Sequence, residues 1–528
     1  MLATLKAVIT EDQTAIVEFL GARATHGAAP VDRVETHTAI VFLADRRAWK
    51  LKRAVRFDYL DFSTAARRRE MCEAEVHLNR RTAPALYHGV VAVTREADGS
   101  LALGGKGPPV DWVIEMERFD QEALFDRLAV NGRLDVELML PLAAAIAGFH
   151  GAAEERHDRG GKAGMHKLVE GIAAGLLEYG TDIVDSAACR RVTSGAQAEV
   201  DRLGTMLDHR RASGSVRQCH GDLHLRNIVL LNGQPTLFDA IEFNDDLACI
   251  DVLYDLAFLL MDLWRRQLPR HANAIWNEYL AATHDFDGIG LMPLFLSCRA
   301  AVRAMTSATA SRVQSDASRV EESHRMAREY LAMAESLLRT PEPELIAIGG
   351  LSGSGKSAAA LSCAPSVGAV PGAIVLRSDE IRKELCGVPR LEHLGPEGYT
   401  PEISNRVYLT LADRARLAIR GGCTVVADAV FARPADREAI ERVAIDLSVP
   451  FIGIWLEASP ATLIERVRSR RNDPSDADEA IVRRQLAQDP GAIDWHRVDA
   501  SGPSDAVLRA VAAAAPTRAH RYDTAHDT

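Results

Sequence analysis

The stretch Ile346-Ala347-Ile348-Gly349-Gly350-Leu351-Ser352-Gly353-Ser354-Gly355-Lys356-Ser357 decides how the C-terminal part of this chain folds. An apolar run stops at glycines, and Gly350 to Ser357 fits G-x-x-x-x-G-K-S. Backbone N–H groups must wrap a phosphate chain closely, and only glycine lets the backbone turn that tightly and come that near. The loop then opens a helix, whose N-terminal N–H groups and dipole favour anions. In this reading Gly350, Gly353, Ser354 and Gly355 form the cradle. Lys356 reaches the β/γ-phosphates of ATP, and Ser357 ligates Mg2+.

Downstream, strands expected at 345–349, 373–377, 423–427, 450–456 and 496–499 are interleaved with helices at 356–363, 379–386, 402–420, 435–446, 460–470, 478–488 and 503–514. Such alternation implies a parallel sheet with helices on both faces and ligands at the carboxyl ends of the strands. Asp379 and Arg382 follow the second strand. They suit an acceptor site, the Asp as base for a hydroxyl and the Arg as a fork for phosphate or carboxylate. A helix cap with a charge pair accounts for them equally well. The third strand ends in Asp428, which resembles a Walker B carboxylate acting on Mg2+. Arg466, Arg470 and Arg471 precede the polar run 472–478 and read as a lid bringing arginine to a transferring phosphate; a solvated basic face is the plainer account. This half resembles small P-loop kinases of the gluconate-kinase, polynucleotide-kinase and zeta-toxin kind.

A second phosphotransfer pattern stands upstream. His220-Gly221-Asp222-Leu223-His224-Leu225-Arg226-Asn227 has the spacing Asp-x-x-x-x-Asn, and Thr236 to Asp239 reads as a short strand ending in an Asp. Positioning and charge neutralisation dominate phosphoryl transfer, so a loop Asp that orients the acceptor hydroxyl and oxygen ligands for Mg2+ are what the chemistry needs. His220 and His224 are also spaced for zinc, but no third ligand lies near in sequence. Nearer the N-terminus, 38–43 and 48–55 form a hairpin with Lys50 and Lys52 on one face. A helix over 61–79 carries Glu73 and Glu75, and Trp112 to Met116 is a strand.

These residues resemble the aminoglycoside phosphotransferase-like branch of the protein-kinase-like fold, over roughly residues 25–330. The match rests on Ala48-Trp49-Lys50, Cys72-Glu73-Ala74-Glu75, the loop 220–227, Asp239 and Asp251-Val252-Leu253-Tyr254-Asp255. The whole chain looks closest to bacterial two-module proteins that join such a module to a P-loop ATP-binding module. The resemblance implies that Lys50 holds the α/β-phosphates and pairs with Glu75. It implies a hinge for adenine at Glu115 to Phe119, with Glu117 in it. Asp222 is then the catalytic Asp, Asn227 and Asp239 the metal ligands, and Asp255 a buttress. Lys52 rivals Lys50, and Glu73 rivals Glu75. Glu35-Thr36-His37-Thr38 stands where the family has a Gly-rich loop.

The fold expected is therefore multidomain, α/β and α+β. A kinase-like module at 1–340 has a small lobe at about 25–118 and a helical lobe at about 119–340. A P-loop module follows at 345–516, with a disordered tail at 517–528. The 528 residues carry 47% apolar and 26% charged side chains and a net charge of −11. That balance suits a soluble globular protein and argues against a general nucleic-acid or membrane binder. Eight cysteines without a C-x-x-C pair read as reduced thiols, implying a cytoplasmic protein. With no signal segment and no apolar run approaching 18 residues, no membrane span is expected.

The function expected is a phosphotransferase with two ATP/Mg2+ sites, each acting on a hydroxyl of a small molecule or nucleotide, a 5′-hydroxyl oligonucleotide included for the C-terminal site. The alternatives are one catalytic module with a nucleotide-binding regulatory one, or a nucleotide sensor that does not turn over. Asn244-Asp245-Asp246 is the one run that could form an acidic rim for a polycationic acceptor.

Overall fold

The computed structural model describes residues 8–36, 38–57, 60–312, 316–469 and 474–515, so the expected tail at 517–528 lies outside them. The chain divides into two compact units, Met1–Asp262 with Val302–Ala327 and Leu263–Ala301 with Arg328–Thr528.

The first unit is built around a six-stranded antiparallel sheet. Its order is Val31–Glu35, Ala39–Ala44, Arg47–Lys52, Pro109–Glu117, Tyr87–Arg95 and Leu101–Leu103. The expected hairpin is its second and third strands, and the expected strand at 112–116 lies within the fourth. One face packs Ile40, Phe42, Leu51 and Val113 against Ile16 and Leu20 of the helix Thr14–Gly21. The other packs Leu43, Ala48 and Ile114 against Cys72 and Val76 of the helix Ala65–Asn79. Side chains alternate along a strand, so Lys50 and Lys52 emerge on the second face, beneath that helix. Thr64 caps the helix by accepting from the Arg67 N–H. Arg68 fastens it to the sheet with a two-bond fork on Asp111, at 2.8 and 2.9 Å, both side chains being buried. Removing either partner would strand a buried charge, at a cost of about 3–5 kcal/mol.

Helices follow in the same unit, among them Met139–Ala152, Gly161–Tyr179 and Ser186–Arg202. The antiparallel pair Ile228–Leu231 and Gln234–Leu237 projects from the loop at 220–227. The strand expected to end at Asp239 ends at Leu237, and Asp239 takes a left-handed conformation with φ 64°.

The second unit holds a five-stranded parallel sheet in the order Ile374–Arg377, Val425–Asp428, Leu345–Gly350, Phe451–Glu457 and His496–Asp499. All six residues of the central strand are buried, as expected where helices cover both faces. Ile346, Ile348, Val426 and Ile454 share one core with Ala359 and Ala360 of the helix Lys356–Cys363 and with Val507 and Val511 of the helix Ser504–Ala514. The helix Pro269–Thr283 belongs to this unit although it precedes residue 340. It meets the sheet at its open edge. Asn277 accepts from the Val375 N–H (2.7 Å) and donates to the Ala373 carbonyl (3.1 Å). Asn273 donates to the Pro371 and Ala373 carbonyls at 3.2 and 3.0 Å. Two side-chain amides thus do what a neighbouring strand would do, each bond contributing about 1 kcal/mol.

The helical stretch Ile289–Ser311 is long and apolar enough to cross a membrane, and 67% of its most apolar window is buried inside the protein. None of the eight cysteines is in a disulfide.

Candidate active sites

In the first unit the loop at 220–227 is held from below by two carboxylates. Asp255 accepts from the N–H groups of His220 (3.0 Å) and Gly221 (2.9 Å), and Asp262 accepts from that of Leu225 (3.1 Å). Gly221 has φ 81°, and a Cβ there would lie 2.9 Å from the Leu247 carbonyl oxygen, so glycine is required twice over. Asn227 donates its amide to the backbone and side-chain oxygens of Asp222, at 2.9 Å each. The remaining amide oxygen of Asn227 and the carboxylate of Asp239 are oxygen donors of the kind that could hold a hard cation. Among the described residues, the one group of three His, Cys, Asp or Glu ligand atoms is His150, Cys219 and Asp255. Its Asp255 oxygens are engaged by the loop N–H groups and by His150.

Both lysines meet the same glutamate. Lys50 Nζ lies 2.7 Å from Glu75 and 2.5 Å from Asp239. Lys52 Nζ lies 2.6 Å from Glu75 and 2.5 Å from Glu242. Glu75 is fully buried, which works to raise its pKa, but the two ammonium groups override this and bring it down to about 2. Lys50 is shared with Asp239, whose side chain is 43% exposed, whereas Lys52 and Glu242 are enclosed. Glu73 pairs instead with Arg69 on the helix surface, 2.8 Å away. The geometry gives the two lysines different surroundings. Lys52→Met is expected to destabilise the fold by about 3–5 kcal/mol, because it leaves Glu75 and Glu242 sharing too few cations in a closed site. Lys50→Met is expected to leave the melting temperature closer to that of the parent and to weaken ATP binding in the first unit. Melting curves and ATP titration of the two full-length variants distinguish these outcomes.

Asp222 is half-buried, and His224 Nε2 lies 3.3 Å from its carboxylate. Burial works to raise the Asp222 pKa, but the imidazole of His224 holds it well below the usual range. Burial works to lower the His224 pKa, and the Asp222 carboxylate raises it instead. The raised histidine contributes stability that is complete below its ordinary pKa and lost as pH rises through its folded value. The lowered carboxylate contributes stability that is present above its ordinary pKa and lost as pH falls through its folded value. His224→Gln is therefore expected to cost most at pH 5–6, about 1 kcal/mol after allowing for solvent at Asp222, and progressively less above pH 7. Denaturant midpoints of parent and variant across pH 5–9 check this.

Glu117 pairs in register with Arg47, on the sheet face opposite Lys50. Its carboxylate meets Arg47 at 2.5 Å and His88 at 3.0 Å. The other face carries instead Val41, Ala48 and Met116, in one apolar cluster with Phe119, and Phe238 lies edge-on to Phe119 at 5.4 Å. Thr36 Oγ1 accepts from the Ala39 N–H (2.9 Å), closing the turn where a Gly-rich loop would stand; His37 lies outside the described residues. Asp245 is paired with Arg156 (3.2 Å), and Asp246 with Arg159 (3.2 Å) and Lys167 (2.5 Å). The expected acidic rim is thus neutralised.

In the second unit the loop leaves the central strand with Gly350, Gly353 and Gly355 at φ 137°, 86° and 94°. A Cβ on Gly353 would lie 2.5 Å from the Leu463 carbonyl oxygen. Ser354 Oγ is buried without a hydrogen-bond partner, an orphaned donor inside a cradle that fits a phosphate. Lys356 Nζ donates to the Leu351 carbonyl (3.1 Å). Ser357 Oγ donates to Asp428 at 2.6 Å, so the two expected Mg2+ ligands already touch. Burial raises the Asp428 pKa, and the charges of Arg377 and Lys356 oppose it.

Arg377 takes the cap position of the helix Ser378–Leu385, with no side-chain cap bond, and Asp379 lies in its first turn. Burial raises the pKa of both Tyr399 and Asp428, and the Asp379 charge adds to each shift. Arg382 is turned to its own chain: it donates to the Gly398 carbonyl (2.9 Å) and Ser404 Oγ (3.2 Å), and its guanidinium lies 4.8 Å from the Tyr399 ring centroid. Arg466 donates to the Gly502 carbonyl (3.0 Å). Arg470 and Arg471 lie outside the described residues.

Residues with no sequence motif complete both sites. Tyr87 OH receives the Asp239 N–H (3.2 Å), and Asn79 receives that of Ala240 (2.8 Å). Asp476 accepts from Lys383 (2.9 Å), from the Leu394 N–H (3.2 Å) and from Tyr399 OH (3.0 Å), tying the segment after 473 to the loop at 394–399. Gln485 accepts from the Ser352 N–H (2.9 Å) on the phosphate loop. No spacing rule reaches across such separations.

Two family models match the chain. Residues 63–289 match the phosphotransferase enzyme family, and residues 345–489 match an AAA domain family. An uncharacterized protein of Mycobacterium tuberculosis, strain H37Rv, is 29% identical over 491 residues, covering 90% of this chain and 93% of its own length. A gluconokinase structure from Sinorhizobium meliloti is 24% identical and covers 33% of this chain and 91% of its own, with a TM-score of 0.24. A choline kinase structure from Cryptosporidium parvum is 12% identical and covers 61% of this chain and 96% of its own, with a TM-score of 0.39. The chain joins a kinase-like N-terminal module to a P-loop C-terminal module.

Proposed function

We propose that each module binds ATP with Mg2+ and transfers the γ-phosphoryl group to a hydroxyl of a small molecule or nucleotide, in the cytoplasm. The observation that carries this reading is the repeated assembly of a lysine with cation-binding oxygen donors. Lys50 stands with Asp239, and Lys356 opens the helix that brings Ser357 to Asp428. Mg2+ supplies charge neutralisation between β- and γ-phosphates when bound. In the first module Asn227 and Asp239 would hold it, and Lys50, steadied by Glu75, would hold the α/β-phosphates. Adenine would lie against Val41, Ala48, Met116 and Phe119. Asp222 receives or orients the acceptor hydroxyl proton. In the second module Ser357 and Asp428 would hold the cation, the loop N–H groups and Lys356 would hold the phosphates, and Asp379 would serve the acceptor hydroxyl. The neutralised rim at Asp245 and Asp246 favours an acceptor other than a polycation in the first module.

One observation supports a second reading, in which the first module binds nucleotide as a regulatory element. Thr36 spends its hydroxyl on closing its own turn, leaving fewer donors for a γ-phosphate than a glycine loop offers. Titration of the full chain with ATP and Mg2+, followed by turnover assays with sugars, nucleosides and 5′-hydroxyl oligonucleotides, separates the readings. Two bound nucleotides and two acceptor activities support the first. Two bound nucleotides with turnover at the P-loop alone support the second, and a single bound nucleotide overturns both.

A further inference from the structure

A row of alternating charges leads from the helix Pro269–Thr283 to the P-loop. Glu278 Oε2 meets Arg390 Nη1 at 2.5 Å, and Arg390 Nη2 meets Glu380 Oε1 at 2.8 Å. The same Glu380 oxygen accepts from Arg377 Nη1 at 2.8 Å. Arg377 Nε reaches Asp428 Oδ2 at 3.3 Å, and Asp428 Oδ2 accepts from Ser357 Oγ at 2.6 Å. Side-chain exposure falls inward, from 35% at Arg390 and 22% at Glu278 and Glu380 to 7% at Arg377 and 5% at Asp428. The outer end is partly exposed, where solvent screens charge, and the inner end is dry, where charge acts strongly. Glu278 lies outside residues 345–489 and inside the stretch that matches the phosphotransferase family.

We infer that Glu278 is a positioning residue for the P-loop site, setting through Arg390 and Glu380 how far the Arg377 guanidinium leans on Asp428. The inference rests on the reading that Ser357 and Asp428 hold Mg2+ beside ATP. Arg377 divides its charge between Glu380 and Asp428. Whatever strengthens Arg390 on Glu380 releases Arg377 toward Asp428, where it competes with the cation for the same carboxylate oxygen. Whatever removes Arg390 lets Glu380 draw Arg377 away. Glu278 and Arg390 therefore act with opposite sign. A role confined to holding the fold would move both in one direction.

The test uses the full chain carrying Asp239→Asn, which mutes the first module, and reads the Mg2+ concentration needed for half-maximal ATP binding. Glu278→Gln frees Arg390 for Glu380 and is expected to raise that concentration about 3-fold, the size of a half-exposed ion pair. Arg390→Met is expected to lower it by a similar factor. The double variant is expected to match Arg390→Met alone, because the route from Glu278 is then cut. Shifts of the same sign, an unmoved Glu278→Gln, or an undiminished Glu278 effect in the Arg390→Met background would each overturn the inference. Loss of all Lys356-dependent ATP binding in the Asp239→Asn chain before either change would instead sink the underlying reading and the inference with it. Melting temperatures within a few degrees of one another show that fold loss is not being read.

Discussion

Lys356→Ala is expected to reduce the number of ATP molecules bound per full chain from two to one. In the proposed reading the ammonium group is the point charge that meets the β/γ-phosphates, and the phosphate loop holds no other lysine to take its place. A charge-assisted contact of this kind contributes about 3 kcal/mol, so affinity at the P-loop should fall by about two orders of magnitude. Stability should change little, since Lys356 opens its helix and donates to the Leu351 carbonyl of the same loop. The retained nucleotide is expected to depend on Asp239 and not on Asp428. Calorimetric titration of the parent, Lys356→Ala and Lys356→Ala with Asp239→Asn gives the three stoichiometries directly. Two tight sites persisting in Lys356→Ala would remove the P-loop from the account.

Asp222→Asn and Asp239→Asn are expected to fail in different ways. Asp222 is held by the Asn227 amide and flanked by His224, and in the proposed reading it would serve the acceptor hydroxyl. Its replacement should lower first-module turnover by about 10³-fold while ATP affinity stays near that of the parent. Asp239 faces Lys50 from beyond the end of its strand, and in the proposed reading it would be the carboxylate donor for the cation. A neutral amide holds a hard cation poorly, so Asp239→Asn should weaken Mg2+-dependent ATP binding as well as turnover. It should also release Lys50 to Glu75 alone. The measurement is Mg2+-dependent ATP binding by the full chain in a Lys356→Ala background, for parent, Asp222→Asn and Asp239→Asn. Equal loss of affinity in both variants would reverse the assignment of roles.

Much of this architecture is written in local pattern. The P-loop strand, its glycines and Lys356 are adjacent in sequence, and their chemistry depends on backbone conformations that only glycine adopts. The alternation of strands and helices after residue 345 implied a parallel sheet because apolar periodicity is a property of each element taken alone. The loop at 220–227 was legible for the same reason: Asp222 and Asn227 interact five residues apart. The choice between Lys50 and Lys52, and between Glu73 and Glu75, was not. Both lysines share a face by strand alternation, and both glutamates sit on one helix. What distinguishes their surroundings is how deeply each is enclosed and, for the lysines, which carboxylate arrives from 239 or 242.

The sequence by itself pointed to the hairpin at 38–55, the loop at 220–227, the alternating strands and helices after residue 345 and the glycine turns of the P-loop, and to residue types suited to phosphate and cation; it did not point to the strands Val31–Glu35 and Tyr87–Arg95 or to the left-handed turn at Asp239. Tertiary structure alone decided which distant carboxylates those residues meet. It turned Arg382 onto the Gly398 carbonyl, neutralised Asp245 and Asp246, and brought the helix Pro269–Thr283 to the open edge of the P-loop sheet. The physical reason is one of range. Backbone conformation and periodicity act over a few residues, whereas an ion pair or an edge-strand amide bond depends on which surfaces the folded chain brings within about 3 Å.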